Sequence, residues 1–240
     1  MRKIPVLEIF GPTVQGEGAV IGRKTMFVRT AGCDYRCSWC DSAFTWDGSA
    51  KEQIRLLTAE EIWEELIQTG GQTFDHVTIS GGNPVLLPQI ADLLAKLAEK
   101  GVNTALETQG SRWQEWFYQI DELTISPKPP SSGMETDFEQ LSLIVERLAA
   151  KGRAASLKVV VFDENDLAFA KKVHQLYPAL PFFLQVGNDR LQEQKQGDLL
   201  PYLVSRYEWL INKVMPDKEW KSVRVLPQLH TFVWGNKQGV

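Results

Sequence analysis

The chain has 240 residues, a length that suits one globular domain. Its formal net charge of −4 argues against a surface built to coat nucleic acid, which is normally basic. No apolar run is long enough to span a bilayer, and the apolar start MRKIPVLEIFGPT breaks too early for a secretory signal. We therefore expect a cytoplasmic protein with reduced thiols, no nucleic-acid partner and no membrane partner.

The first part of the chain alternates strand-like and helix-like segments. KTMFVRTAG (24–32) is a short apolar strand that leads into a cysteine-rich loop, and HVTISGGNP (76–84) is a strand that ends in a glycine turn. A helix is predicted over 58–71, because Thr58 is followed three residues later by a glutamate, as in a capping box, and two glycines end the segment. The apolar positions of 87–101 share one helical face, which predicts a second helix.

The second part of the chain continues the alternation. The further strand-like segments are VNTALETQG, ELTISPKPP, SLKVVVFDEND, FFLQVGND and SVRVLPQLH. The further helices are predicted mainly over 136–151, 166–176 and 198–214. In total the pattern gives about seven strands and about six helices. Such alternation is typical of parallel strands joined by helical crossovers, and it predicts an α/β fold in a single domain over 1–240.

Unusual residues cluster just after the strand ends. The cysteines follow the first strand, and GGNP, ETQG, SPK and QVGND follow later ones. In a barrel the carboxyl ends of the strands form one rim, and that rim carries the chemistry. Pattern alone does not exclude a doubly wound sheet. Because the strand count falls short of eight, we predict an open, partial TIM-type barrel with parallel strands and outer helices.

All cysteines of the chain lie in one loop, GCDYRCSWCDS (32–42): Cys33, Cys37 and Cys40. Three thiols cannot all pair in disulfides, and a structural zinc site usually has four ligands. Thiolates at the spacing C-x3-C-x2-C can hold three irons of a 4Fe–4S cluster and leave the fourth iron open. The alternative is a zinc site completed by a histidine. The histidines are all distant from the loop in sequence: His76, His174 and His230.

The cysteine loop resembles that of the radical S-adenosylmethionine enzymes, which share this spacing and an aromatic residue at the position of Trp39. The resemblance implies a 4Fe–4S cluster whose fourth iron is chelated by S-adenosylmethionine. TISGGNP (78–84) resembles the glycine turn of the same family, which binds the amino end of that cofactor. Gly81 and Gly82 would allow close approach of the backbone. Asn83 stands where many relatives have glutamate, a change that a backbone contact would tolerate.

The amino-terminal stretch VLEIFGPTVQGEG (6–18) is expected to form a substrate-binding loop, because its glycines permit a tight turn. Gln15 and Glu17 bring together an amide and a carboxylate, which can match the N–H donors and carbonyl on the edge of a purine- or pterin-like ring. Arg29 lies four residues before the first cysteine and could pair bidentately with a substrate carboxylate. On spacing alone, a solvated loop and a surface arginine are an equal alternative.

Three stretches together resemble the 7-carboxy-7-deazaguanine synthase family: IFGPTVQGEG, MFVRTAGCDYRCSWCDSAFTWDG and LPQLHTFVWGNKQGV. The resemblance implies conversion of 6-carboxy-5,6,7,8-tetrahydropterin to 7-carboxy-7-deazaguanine with release of ammonia, a carbon–nitrogen lyase step in queuosine and 7-deazapurine biosynthesis. It also implies that a reduced cluster passes one electron to S-adenosylmethionine. The resulting deoxyadenosyl radical takes a hydrogen atom from the substrate and receives it back at the end.

The same resemblance implies the binding residues. The substrate would be held by Val14, Gln15, Gly16, Glu17, Arg29 and Thr108. S-adenosylmethionine would be held by Trp39, Cys40, Asp41, Gly81, Gly82, Gly110, Ser126, Pro127, Lys128, Gln185, Val186, Gly187 and Asn188. The three cysteines would hold the cluster, and Ser42 would supply an oxygen ligand to Mg²⁺. The family is dimeric, so we expect a homodimer, with a flavodoxin or ferredoxin as electron donor.

The tail over 226–240 is predicted to close the site, with His230 at the substrate edge and the terminal carboxylate of Val240 nearby. A structural histidine is the alternative for His230. Two other functions stay open. One is a radical activating enzyme that generates a glycyl radical on a partner protein, and the other is a non-catalytic metal-binding module. The QGEG turn together with Arg29 favours a small anionic heterocycle over a protein partner.

Overall fold

The computed structural model describes residues 2–192 and 196–240, and the strands of these residues form one nine-stranded sheet. The strands are β1 (Ile4–Val14), β2 (Lys24–Thr30), β3 (Arg55–Leu57), β4 (His76–Gly81), β5 (Asn103–Thr108), β6 (Glu122–Ile125), β7 (Ser156–Val161), β8 (Phe182–Val186) and β9 (Val223–Leu226). Their order in the sheet is β3-β1-β2-β4-β5-β6-β7-β8-β9.

Seven of these strands run parallel, in the order β2-β4-β5-β6-β7-β8-β9. They correspond to the seven strand-like segments of the sequence, so the predicted parallel α/β fold is confirmed. β1 pairs antiparallel with both β2 and β3. Within the described part of the chain no strand pairing joins β3 to β9, so the sheet curves without closing. The predicted open, partial barrel is confirmed.

Six helices are described in the same part of the chain. They are α1 (Ala59–Gly70), α2 (Ile90–Glu99), α3 (Phe138–Ala150), α4 (Glu164–Leu176), α5 (Gln196–Val214) and α6 (Leu229–Trp234). The first five correspond to the predicted helices, whereas α6 lies in the tail and was not predicted. None of the described helices combines the length and the apolar sequence needed to cross a membrane.

The two faces of the sheet have different neighbours, and β7 illustrates the division. Leu157, Val159 and Val161 belong to the main hydrophobic core, which also contains buried side chains of α1 to α5. The alternate residues Lys158 and Val160 line a cavity on the other face. Because successive side chains of a strand point to opposite faces, the helices cover the outside of the partial barrel and the cavity lies inside it.

The amino-terminal segment differs from the prediction. The interpretation of 6–18 as a loop is wrong over residues 6–14, because these residues belong to β1. Gly11, one of the glycines that suggested a loop, and Pro12 lie where the register between β1 and β2 shifts, between Phe10 and Thr13. A bulge of this kind accepts residues that would break a regular ladder. Gly11 has φ +114°, and a Cβ there would lie 2.9 Å from the carbonyl oxygen of Thr25.

The capping box predicted at the start of α1 is present. The Thr58 hydroxyl accepts a hydrogen bond from the Glu61 backbone N–H at 3.3 Å, and the Glu61 carboxylate accepts one from the Thr58 N–H at 2.7 Å. The two bonds satisfy N–H groups that have no partner within the helix.

Replacement of this cap should destabilise the protein measurably. We expect Thr58→Ala to lower the free energy of unfolding by about 1 kcal/mol, because one N–H at the start of α1 loses its acceptor. Urea unfolding followed by circular dichroism measures the change. Thr58→Ser retains the hydroxyl and should stay close to the wild type, and equal loss in both variants would contradict a role for the cap.

Candidate functional site

A large cavity opens inside the partial barrel at the carboxyl ends of the parallel strands. Its wall takes inward-facing residues from several strands in turn, among them Arg29 of β2, Ser80 of β4, Glu107 of β5 and Lys158 of β7. The cysteine loop and the tail complete the rim. This is the edge of the sheet where the sequence pattern predicted the chemistry.

The three cysteines of the loop face this cavity as free, half-buried thiols. Burial raises the pKa of Cys37 to about 11, although the nearby Lys128 opposes this effect. Burial also raises the pKa of Cys33, while the Tyr35 N–H, 3.4 Å from its sulfur, acts in the opposite direction. Both thiols are therefore protonated at neutral pH, and metal binding would release their protons.

The spacing of the sulfurs bears on the two metal centres considered for the loop. Four-coordinate zinc with Zn–S bonds near 2.3 Å needs sulfurs about 3.8 Å apart. In the part of the chain that the structure describes, the three cysteine Sγ atoms do not all lie within 4.8 Å of one another. The thiols are thus not gathered as the ligands of a single zinc ion would be, whereas in a 4Fe–4S cluster each thiolate binds a different iron.

The other histidines are occupied elsewhere. His76 is fully buried in β4, where its Nδ1 lies 2.8 Å from the Thr25 hydroxyl. His174 stacks on Trp220 with ring centroids 5.5 Å apart. Neither lines the cavity, so neither is available as a fourth ligand to the cysteine loop.

A hydrogen-bond network around Asn83 fixes the cysteine loop against the strand ends. The Asn83 amide donates to Asp34 at 2.8 Å and to Ser111 at 2.9 Å, and its oxygen accepts from Thr108 at 2.9 Å. Gln109 also donates to Asp34, at 2.7 Å. An amide suits this position because it donates and accepts at once, and a carboxylate would face Asp34 without a donor. The hydroxyl of Thr108, predicted near the substrate, is thus used within the protein.

The glycine turn after β4 packs directly on the cysteine loop. A Cβ on Gly82 would overlap the carbonyl of Gly32, and a Cβ on Gly81, at φ +135°, would overlap the backbone of Thr30. Both glycines are therefore required by the approach of two protein segments. Contact of their backbone with a cofactor, which the sequence suggested, would be an additional role.

The turn that follows β1 directs Glu17 into the cavity. The N–H and carbonyl of Gln15 bond to Arg23 and Gly22, each at 2.8 Å, and close the turn. The Gln15 side chain accepts the Glu17 N–H at 3.1 Å. The Glu17 carboxylate accepts a hydrogen bond from the Gln228 amide at 2.8 Å.

Glu17 meets a buried lysine that the sequence analysis did not select. The Lys158 ammonium lies 2.5 Å from Glu17 Oε2 and 2.6 Å from Glu107 Oε1, with its side chain 1% exposed. Burial alone would raise the pKa of Glu17, but Lys158 and His230 outweigh it and hold the pKa well below its usual range. Burial alone would lower the pKa of Lys158, but Glu107 and Glu17 outweigh it and hold the pKa above its usual value. Glu17 and Lys158 are therefore both charged at neutral pH.

The tail docks on the turn that carries Glu17. The Leu229 N–H donates to the Gly16 carbonyl at 2.9 Å, and a Cβ on Gly16 would overlap the imidazole of His230. His230 and Val240 both line the cavity. The structure therefore brings the two ends of the chain together at the same rim.

Arg29 reaches the cavity from β2 and is partly engaged by protein groups. Its Nε lies 2.6 Å from Glu8 Oε1, although the two do not form a well-aligned hydrogen bond. The guanidinium also lies 5.4 Å from the ring centroids of Phe10 and Phe44. The Nη groups lie beyond the Nε atom that faces Glu8, and they are the donors that a ligand carboxylate could reach.

The predicted cofactor residues divide into two groups. Those that line the cavity are Trp39, Cys40, Asp41, Gly81, Gly82, Lys128, Gly187 and Asn188. Those that lie outside its lining are Gly110, Ser126, Pro127, Gln185 and Val186. Ser126 and Gln185 are fully buried, and the Ser126 hydroxyl accepts a hydrogen bond from Lys128 at 3.2 Å. A contact of this second group with a cofactor stays a prediction.

Among the described residues, the buried polar groups near the cavity that have no hydrogen-bond partner include the Gln185 amide and the Ser80 hydroxyl. Gln185 is paired with Val160, which lines the cavity, so its side chain is on the inner face. Buried polar atoms without partners are rare and are commonly satisfied by a bound molecule. The cavity therefore retains polar capacity for a ligand.

Ser42 lies at the rim beside the cysteines, with its hydroxyl 3.8 Å from Cys40 Sγ. Its neighbour Asp41, with Glu17 and His230, forms a group of side chains whose ligand atoms lie within 4.8 Å of one another. Carboxylate oxygens are suitable ligands for a hard cation such as Mg²⁺. A predicted role for Ser42 in binding Mg²⁺ is not tested by this arrangement.

Sequence reasoning missed several residues of the site: Glu107, Lys158, Gln109, Gln228 and Trp46. The strongest available signal was Lys158, because a lysine in the middle of LKVVVF interrupts a strand that should be buried on both faces. Trp46, whose Nε1 donates to Cys40 Sγ at 3.4 Å, carried no comparable signal. Its position depends on the fold of the whole cysteine loop.

The Asn83 network can be tested without reference to activity. We expect Asn83→Asp to lower the free energy of unfolding by about 2–3 kcal/mol at pH 8, because the introduced carboxylate faces Asp34 in place of a donor. Burial and Asp34 should raise the pKa of the introduced group, so the loss should shrink as pH falls to 5. Urea unfolding at both pH values measures the change in the free energy of unfolding. The matched control is Asn212→Asp on the exposed face of α5, and an equal effect in both would contradict the network's role.

The sequence matches the Radical SAM superfamily over residues 27–155. The 7-carboxy-7-deazaguanine synthase of Bacillus cereus is 62% identical over 240 residues, which is 100% of both chains. The 7-carboxy-7-deazaguanine synthase of Bacillus subtilis is 61% identical over 241 residues, 100% of this chain and 99% of the relative. The crystal structure of QueE from Escherichia coli has the same fold, with a TM-score of 0.68, 21% identity and 95% of each chain covered. The chain belongs to the 7-carboxy-7-deazaguanine synthase family of the Radical SAM superfamily.

Proposed function

We propose that this chain converts 6-carboxy-5,6,7,8-tetrahydropterin to 7-carboxy-7-deazaguanine with release of ammonia. The observation that carries the proposal is the cavity, in which the cysteine thiols and the charged carboxylate of Glu17 face one enclosed space. Membership of the family supports it, since the relatives from both Bacillus species are named for this product.

Cys33, Cys37 and Cys40 would hold a 4Fe–4S cluster, as the radical S-adenosylmethionine superfamily requires. When bound, the cluster and S-adenosylmethionine supply the one-electron chemistry that removes a hydrogen atom from the substrate. The protein's part is to orient the substrate and exclude side reactions. Trp46 and Gln109 donate hydrogen bonds to Cys40 and Cys33 sulfurs at 3.4 and 3.6 Å, and such bonds stabilise thiolates that bind metal.

The substrate ring would lie against the rim formed by both ends of the chain. Glu17 is charged and accepts hydrogen bonds, so it suits the N–H donors of an aminopyrimidinone edge. Gln15 and His230 stand beside it, and Val14 and Gly16 shape the same wall. The free Nη groups of Arg29 would bind the substrate carboxylate, because the Nε side already faces Glu8.

S-adenosylmethionine would occupy the opposite side of the cavity. Trp39 is fixed there by a hydrogen bond to Ser131 at 3.0 Å and by Phe162, whose ring centroid lies 5.1 Å away. Lys128 and Asn188 line the same region, and the unpartnered amide of Gln185 lies on the inner face behind it. A polar and aromatic wall of this kind suits an adenosyl group with a charged methionine end.

The remaining expectations accompany this function. We propose that residues 1–240 act as a single radical S-adenosylmethionine core domain, with the amino-terminal turn binding substrate, 32–42 holding the cluster and 226–240 closing the site. A homodimer in the cytoplasm, reduced by a flavodoxin or ferredoxin, completes the proposal. The full-length relatives support the enzyme over a glycyl-radical activating protein or a non-catalytic metal-binding module.

Anaerobic turnover tests the function directly. Reconstituted protein should contain about four irons and four sulfides per chain. With reductant and S-adenosylmethionine it should convert the carboxypterin to the deazaguanine without a protein partner. The measurement is the absorbance of the product. Cys37→Ala should lose the cluster and the turnover, because only two thiolates remain. A colourless wild-type protein with one zinc, or a loaded protein that does not turn over the carboxypterin, would refute the proposal.

The proposed Mg²⁺ ligand has its own test. In Ser42→Ala the Mg²⁺ concentration for half-maximal stimulation should rise roughly tenfold or more, because one oxygen ligand is lost. The measurement is the initial rate of product formation against Mg²⁺ concentration. Ser49→Ala is the matched control in the segment that follows the cysteine loop, since Ser49 bonds to Asp47 and does not line the cavity. Unchanged stimulation in Ser42→Ala would exclude the hydroxyl as a ligand.

A further inference from the structure

Lys158 is a buried cation that the proposed reaction does not by itself require. Its side chain is 1% exposed, in the middle of β7, and it lines the cavity. Removing an ammonium group from water is costly, so a buried lysine persists only with charged partners. An apolar side chain, like those of the valines that follow in β7, would be the usual residue at such a buried strand position.

Lys158 is held between two carboxylates. Its Nζ donates hydrogen bonds to Glu17 Oε2 at 2.5 Å and to Glu107 Oε2 at 2.8 Å, and it also lies 2.6 Å from Glu107 Oε1. Two of the three N–H donors of the ammonium group are therefore engaged within the protein. The main effect of Lys158 on a ligand is expected to pass through the two carboxylates that it holds.

The carboxylates, by contrast, keep acceptor capacity. Two negative charges share one positive charge, so the cluster of Glu17, Glu107 and Lys158 carries a net charge of about −1. Gln228 donates one further hydrogen bond to Glu17 Oε1. Each carboxylate oxygen can accept about two hydrogen bonds, so acceptor sites remain on both groups. Both groups line the cavity, which is where those sites can be used.

We propose that Lys158 is a positioning residue for the substrate, which holds Glu17 and Glu107 side by side, charged and directed into the cavity, so that they accept the N–H donors of an aminopyrimidinone ring. This inference rests on the proposed function and deepens it. It assigns substrate recognition to a pair of carboxylates, where the sequence had indicated Glu17 alone. The ammonium group of Lys158 is what allows both carboxylates to stay charged at this short separation.

The consequence of losing the ammonium follows from the groups around Glu17. The charged or titratable groups that face it are Lys158 of β7, Glu107 of β5, His230 of the tail and Asp41 of the cysteine loop. Without Lys158, burial and the second carboxylate would raise the pKa of Glu17, since two adjacent carboxylates resist double ionisation. Glu17 would then gain a proton as pH falls, and would accept fewer N–H groups.

The experiment compares substrate affinity in the wild type and in Lys158→Met at pH 6 and pH 8. Anaerobic, cluster-loaded protein with S-adenosylmethionine and no reductant is titrated with the carboxypterin in a calorimeter, so that no turnover occurs. We expect Kd to rise roughly 10- to 100-fold at pH 6, because a hydrogen bond to a charged acceptor is lost. The rise should be smaller at pH 8. The ratio of variant to wild-type Kd cancels the titration of the ligand itself.

A matched control and a second variant keep the outcome specific. Lys171 also bridges two carboxylates, Asp217 at 2.5 Å and Glu219 at 3.0 Å, but lies away from the cavity. Lys171→Met should bind like the wild type at both pH values. Should Lys158→Met fail to fold, Lys158→Met with Glu107→Gln removes the repulsion between carboxylates. It should show the same pH-dependent loss, because Glu17 remains buried without a cation.

Iron content and circular dichroism should match the wild type in the variant that folds. A variant Kd within threefold of the wild type at both pH values, or a loss of equal size at pH 6 and pH 8, would overturn the positioning role. This outcome is distinct from failure of the proposed function, in which the wild type itself would not bind the carboxypterin.

Discussion

The contact between one buried ammonium and two carboxylates ties the site together. Lys158 of β7 joins Glu107 of β5 to Glu17 of the turn after β1, and Gln228 of the tail adds a hydrogen bond to Glu17. Four segments that are distant in sequence thus meet at one charged cluster on the cavity wall. Because an unpaired charge there would be costly, each partner constrains the others, and the wall that faces a ligand acquires a defined shape and charge.

The position of the cysteine loop depends on a steric constraint. Gly82 brings the β4 turn into contact with Gly32 at the start of the cysteine loop, and Asn83 then bonds to Asp34 within that loop. Close backbone approach and a donor–acceptor amide together set where the thiols stand. The Asn83 side chain serves the loop, and a carboxylate in its place would repel Asp34.

Much of the fold and part of the site followed from local patterns. The seven parallel strands and α1 to α5 were predicted, since apolar periodicity and caps are properties of short segments. All eight residues predicted to bind substrate line the cavity, as do the three cysteines. The prediction failed for β1 because its glycines suggested a loop, and only pairing with β2 shows that a bulge accommodates Gly11. It also missed Lys158, whose meaning depends on the two carboxylates that oppose it.

The sequence by itself determined the alternation of strands and helices and the three-thiol spacing that leaves one iron free, because these features depend on neighbouring residues in the chain. Only the tertiary structure decided which carboxylates share Lys158, that the tail docks on the turn after β1, and that Arg29 faces Glu8. These contacts join residues up to 211 positions apart, as between Glu17 and Gln228. No local pattern encodes such pairs, since they form when the sheet curves and brings its strand ends to one rim.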